Sequence, residues 1–253
     1  MATECPLHDR VVILTGASSG LGVHLADALD RAGAKLVLVA RRASLLERVA
    51  DGKRACVVAA ADITDVDGRS SVVETAISSF GSVYGLVNNA GVNHVVPAVR
   101  EELDDFRRVL DVNLVAPFAL SQLVAPIMRQ AGSGSIVNIT STAATHSSSY
   151  SPEASYIAAK AGLAGLTREL ASQWARYSIR VNAVAPGAFV TEMVSESFMD
   201  SEPGKALLQS IPMGRPGTAG ELAASVTFLL DPSNTYLTGQ SIVLDGGLTL
   251  SAC

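Results

Sequence analysis

Arg10-Val11-Val12-Ile13-Leu14-Thr15, followed by Gly16-Ala17-Ser18-Ser19-Gly20-Leu21-Gly22, decides the fold. The first six residues form a continuous β-branched and apolar run, the pattern of a strand in a parallel sheet covered on both faces. The glycine-rich turn that follows opens a helical pattern at about 20–32. Glycines let the backbone turn sharply and approach a pyrophosphate, whose charge is met by the free N–H groups at a helix N-terminus. Gly16, Ser18, Ser19, Gly20, Leu21 and Gly22 are therefore candidate dinucleotide contacts. The spacing is G-x-x-x-G-x-G, and no Lys-Ser/Thr pair follows, so the turn is not a P-loop.

The same alternation continues outward. Strands are expected at 35–40, 55–59, 84–87, 134–140, 179–185 and 240–244. Helices are expected near 43–50, 65–80, 100–130, 152–177 and 218–230. The helix at 152–177 has Ser151 as expected N-cap and Pro152 at its first position. Seven strands interleaved with helices predict an α/β protein with a doubly wound parallel sheet. No linker or repeat interrupts it, so residues 1–253 are read as one domain. The segment 191–216 breaks the rhythm and is expected to form a substrate lid; connecting segments of this kind often carry specificity.

Composition narrows the function. The chain is 48% hydrophobic and 17% charged, as expected for a globular protein with a large core. A formal net charge of −5 argues against nucleic acid or an anionic membrane surface as partner. Cys5, Cys56 and Cys253 are scattered, and the histidines at 8, 24, 94 and 146 are equally dispersed, so no metal site and no disulfide framework are predicted. The N-terminus lacks a signal-peptide layout and no apolar run approaches membrane-spanning length, which predicts a soluble cytoplasmic protein.

Two further features carry chemistry. Tyr156 and Lys160 stand at i and i+4, on one face of a helix. An ammonium beside a phenol favours its ionised form and draws it toward the range of a general acid or base. The second feature lies at the end of the second strand, where dinucleotide-binding folds that take NAD place an acidic residue for the ribose 2′-OH. Ala40-Arg41-Arg42 stands there instead, and two guanidiniums suit a 2′-phosphate. This predicts NADP, with NADPH preferred over NADH and Arg41 ahead of Arg42.

Together these motifs resemble the short-chain dehydrogenase/reductase family, over the full chain and most closely its 3-oxoacyl carrier-protein reductase-like ketoreductases. The resemblance implies a Rossmann-type fold. It implies that Asp62 and Ile63 contact the adenine, and that Asn89, Ala90 and Gly91 of Asn88-Asn89-Ala90-Gly91 lie beside the adenine ribose. It implies further cofactor contacts from Tyr156, Lys160, Pro186, Gly187, Phe189 and Thr191. The implied catalytic set is Asn113, Ser141, Tyr156 and Lys160, with Asn113 bonding a water beside Lys160. Asp62 also reads as a cap for the helix beginning near Asp65, and Asn113 reads equally as a satisfied core residue. In the family the serine commonly lies 13 residues before the tyrosine, a place held here by Ala143. Ser141, at the strand end, is chosen, with Thr142 as rival and the extra length placed in the loop 146–152.

The resulting expectation is reduction of a ketone or oxidation of a secondary alcohol by hydride transfer, in a homodimer or homotetramer. Phe189, Met193, Phe198 and Met199 point to a partly apolar pocket. The competing readings are a non-catalytic NADP-binding or interaction protein on the same scaffold, an NAD-dependent alcohol dehydrogenase of the same family, and a methyltransferase.

Overall fold

Alternation of side chains along each strand builds the molecule. Val12 and Leu14 of strand β1 (Val11–Thr15) point to one face of the sheet, and Val11 and Ile13 point to the other. Leu36 and Leu38 of β2 (Lys35–Ala40) separate from Val37 and Val39 in the same way. Each set belongs to its own core cluster, so the sheet is buried on both sides. A computed structural model describes residues 5–147, 151–189 and 201–250.

The remaining strands are β3 (Cys56–Ala60), β4 (Gly85–Asn88), β5 (Gly134–Ile139), β6 (Ile179–Pro186) and β7 (Ser241–Leu244). All pairs are parallel, in the order β3-β2-β1-β4-β5-β6-β7. Helices α1 (Leu21–Arg31), α2 (Ala43–Ala50) and α8 (Ala219–Leu230) feed one core, through residues such as Leu25, Leu46 and Val226. On the other face lie α3 (Val66–Phe80), α5 (Ala116–Gln130) and α6 (Ala154–Trp174), through Val72, Leu120 and Leu170. Helix α7 (Glu202–Ser210) occupies part of the segment expected to be a lid, while Thr191, Met193, Phe198 and Met199 lie outside the described residues.

The sequence direction of building reverses between β1 and β4, opening a crevice at their carboxyl ends. The far side of the fold is closed by polar side chains. The C-terminal carbonyls of α8 accept bonds from Ser135, Tyr84 and Arg180, the last reaching Leu229 and Asp231 at 2.6 and 3.1 Å. Cations and hydroxyls at a helix C-terminus satisfy orphan carbonyls and oppose the negative end of the dipole.

Three expectations are corrected. Helix α6 starts at Ala154, not at Pro152, and Ser151 is not its N-cap. The Pro152 carbonyl accepts the Val96 N–H at 2.8 Å, and Val96 pairs with Glu153 in an isolated parallel bridge, so Pro152 stays outside the helix and Glu153 stands at its N-cap. Asp62 does not cap α3: its side chain folds back onto the Thr64 N–H and hydroxyl at 2.9 and 2.7 Å, and Asp65 stands at the N-cap. Third, α4 (Leu103–Leu110), a π turn at Asp111–Val115 and α5 run together as Leu103–Gln130, a helix long and apolar enough to cross a membrane by length and composition. Its apolar content is explained by the core it packs into, through Leu120, Val124 and Met128.

Candidate active site

The crevice is floored by two turns stitched to each other. The Thr15 hydroxyl accepts the N–H groups of Asn89 and Ala90 at 3.0 and 3.1 Å, and the Asn89 amide donates to the carbonyls of Thr15 and Gly16. This closeness explains the glycines. Gly16 has φ +68°, and a Cβ there would lie 2.7 Å from the Ala90 Cα. A Cβ on Gly22 would collide with the Gly16 carbonyl oxygen. Helix α1 begins at Leu21 with Gly20 as N-cap, no side-chain cap and no acid in its first turn. The Gly22 and Val23 N–H groups turn to the Ser19 and Gly20 carbonyls at 3.2 and 3.3 Å, and the positive dipole end, with no side chain over it, is left for an anion.

Beside this turn the two arginines are exposed. Arg42 Nη2 donates to Ser18 Oγ at 3.3 Å, joining the turn to the end of β2. Asp62 sits on the same rim, held below the ordinary carboxylate range first by Thr64 and in smaller part by Arg41. Cradle, helix terminus and arginine pair together fit a 2′-phosphorylated dinucleotide. Two of the expected contact residues have other side-chain duties: Ile63 is buried in the core, and Phe189 is buried against Gly217, where a Cβ would strike its ring. Only their backbones are open to a ligand. Gly187 closes against β7, its N–H donating to the Leu244 carbonyl at 2.9 Å, directly after Pro186 ends β6. Thr191 and Ser148 to Tyr150 of the long loop are outside the described residues.

The expected catalytic residues converge at the end of β5. Lys160 is 4% exposed, and its Nζ donates to the Ile139 carbonyl at 2.8 Å, the last residue of that strand. It lies 5.5 Å from the centre of the Tyr156 ring. Ser141 follows the strand; its Oγ accepts the Ala143 N–H at 3.1 Å, and its side chain acts on the Tyr156 phenol, favouring the ionised form. Among the described residues, Thr142 is not one of the groups acting on the phenol. Asn113 lies in the π turn, fully buried, its amide donating to the carbonyls of Val92 and Val109 at 2.8 and 2.9 Å. Its Oδ1 has no partner among the described residues. A Cβ placed on Gly91 would be 2.8 Å from that oxygen and 3.6 Å from Lys160 Nζ, so both atoms face one small space. An orphan acceptor and an ammonium with two unused donors fit a water or a ligand hydroxyl there.

Electrostatically the chain alone departs from expectation. Burial pushes the Tyr156 phenol up to about 12, with the bond from Ser141 opposing and the Glu153 charge assisting. Burial also draws Lys160 down to about 8. Lysine does not pull the phenol down here, because its ammonium is tied to Ile139 and lies over the ring rather than at its oxygen. Two residues absent from the sequence reading border this centre. Glu153 is one turn before Tyr156, and the Asn93 amide donates to its Oε2. His94 and His146 stay outside it; Nδ1 of His94 lies 3.8 Å from Glu101, and Nδ1 of His146 is 2.9 Å from the Thr145 hydroxyl.

Comparisons with known proteins show what the whole chain is similar to. The family model described as enoyl-(acyl carrier protein) reductase matches residues 16–249. A 3-oxoacyl-[acyl-carrier-protein] reductase from Synechocystis is 36% identical over 248 residues, covering 95% of this chain and 97% of the relative. A galactitol 2-dehydrogenase (L-tagatose-forming) from Cereibacter sphaeroides is 36% identical, covering 94% of each. The crystal structure of a gluconate 5-dehydrogenase from Burkholderia cenocepacia, in complex with NADP and tartrate, superposes with a TM-score of 0.91 at 32% identity and covers 100% of both chains. On this evidence the chain belongs to the short-chain dehydrogenase/reductase family of oxidoreductases.

Proposed function

We propose that the chain is an NADP(H)-dependent reductase of a ketone, or in reverse a dehydrogenase of a secondary alcohol. The observation that carries this reading is the meeting of Ser141, Tyr156 and Lys160 at the end of β5. When bound, the nicotinamide supplies the hydride. Tyr156 gives its phenolic proton to the substrate oxygen as the carbonyl carbon is reduced. Ser141 donates a hydrogen bond to the same oxygen and polarises the carbonyl. Lys160 holds the nicotinamide ribose with the donors not spent on Ile139. A water between Asn113 Oδ1 and Lys160 returns a proton toward Tyr156.

A phenol held up near 12 is protonated at neutral pH and ready to donate. Alcohol oxidation needs the phenolate, so its rate rises with pH, while reduction does not require that ionisation. Arg41, Arg42 and Ser18 on the rim support the 2′-phosphate, and the NADP-bound gluconate 5-dehydrogenase is consistent with it. Exposed Leu103, Val115 and Leu123 on one helix, with Phe228 on α8 and Val243 on β7, support a homodimer or homotetramer. We read the protein as cytoplasmic and segment 191–216 as its lid.

Three measurements check these readings. Tyr156→Phe is expected to lower kcat by at least about 10²-fold with NADPH binding retained, as general acid catalysis is worth that much; a variant with near-normal kcat contradicts the role. Arg41→Asp should cut the NADPH/NADH ratio of kcat/KM by about tenfold or more, the scale of one lost charge-assisted pair, and an unchanged ratio counts against NADP selectivity. Sedimentation at micromolar concentration should give a dimer or tetramer, and a monomer refutes the assembly.

A further inference from the structure

Glu153 is a half-buried carboxylate placed one turn ahead of Tyr156, and it joins none of the ion pairs among the described residues. Its hydrogen bond comes from a neutral donor, the Asn93 amide, and the neutral Ser151 side chain lies near enough to favour its charge. Lys160, the nearest lysine on its helix, spends its bond on Ile139, and His94 turns toward Glu101. The carboxylate is fixed in place. Asn93 Oδ1 accepts the His94 N–H at 2.7 Å, and the Val96–Pro152 bond pins both chain segments alongside.

Burial raises the Glu153 pKa against the pull of Asn93 and Ser151, and the same carboxylate raises that of Tyr156. Its charge is therefore felt at the phenol. A purely structural acceptor at this position would be a glutamine, which makes the same bonds without the desolvation cost of a charge. An ionised carboxylate has about four acceptor sites, and the Asn93 amide leaves room for further donors.

We propose that Glu153, held by Asn93, selects the substrate: it accepts a hydrogen bond from a hydroxyl close to the reacting carbonyl, so the substrate is an uncharged hydroxyketone, or the matching diol in oxidation. This rests on the reductase reading above. A hydroxyl donating to a carboxylate makes a charge-assisted bond. A plain ketone leaves that buried charge unpaired, and a site built around such a group discriminates strongly against the analogue lacking the hydroxyl. An oxo acid brings a second negative charge to the same wall and is disfavoured further.

The test compares kcat/KM with NADPH for 2-hydroxycyclohexanone, cyclohexanone and 3-oxocyclohexanecarboxylate. The natural chain is expected to favour the hydroxyketone over the plain ketone by about tenfold or more, with the oxo acid poorest. In Glu153→Leu the hydroxyketone/ketone ratio should fall to within about twofold, whatever happens to the absolute rates. Glu153→Gln should keep part of that ratio and improve the oxo acid relative to both. NADPH binding by fluorescence, retained in both variants, shows that the cofactor site is intact. Equal rates on hydroxyketone and ketone in the natural chain overturn the proposal without need of any variant, as does a ratio unchanged in Glu153→Leu. No NADPH oxidation with any of the three ketones overturns the reductase reading together with it.

Discussion

One ammonium organises the site. Lys160 is buried to 4% exposure and held by a single bond to the Ile139 carbonyl, at the point where β5 ends. That bond locks α6 against the sheet and fixes where Tyr156, one turn back on the same helix face, presents its ring. A nearly dry lysine is costly, and the cost shows as a pKa drawn down to about 8. The fold tolerates it because the strands around it are rigidly packed and the facing polar groups are already placed. Asn138 joins Asn88 of β4 to Thr167 of α6, at 2.8 and 2.9 Å, just beneath the site.

Most of the architecture was legible because its signals are local. Strand β1 carries its two faces in five consecutive residues, and the glycine turn must follow it where two loops cross within a van der Waals radius. What was missed depends on long-range partners. Ser151-Pro152 has the look of a helix start, but Val96, far away in sequence, takes the Pro152 carbonyl and keeps it out of the helix. The helix expected near 100–130 is present as Leu103–Gln130, but the π turn at Asp111–Val115 inside it leaves no mark in the periodicity. That insertion also turns Asn113 inward, toward Val92 and Val109.

The site was legible as a set of residues and less so as an electrostatic object. Spacing brings Tyr156 and Lys160 together, yet spacing carries no information on desolvation, which is the largest cause of both shifts. Phe189 and Ile63 sit in motif positions but send their side chains into the core. Glu153 belongs to no motif. The one available signal was its three-residue spacing from Tyr156, which becomes meaningful only once Asn93 is seen to hold it.

The central claim is that burial keeps the Tyr156 phenol protonated in the chain without cofactor. Ultraviolet difference titration of tyrosine ionisation, with the Tyr156→Phe signal subtracted, reads this directly. The account predicts a Tyr156 ionisation near 12, above the ordinary value of 10.0. A Tyr156 step at or below the ordinary phenol value of about 10 contradicts it.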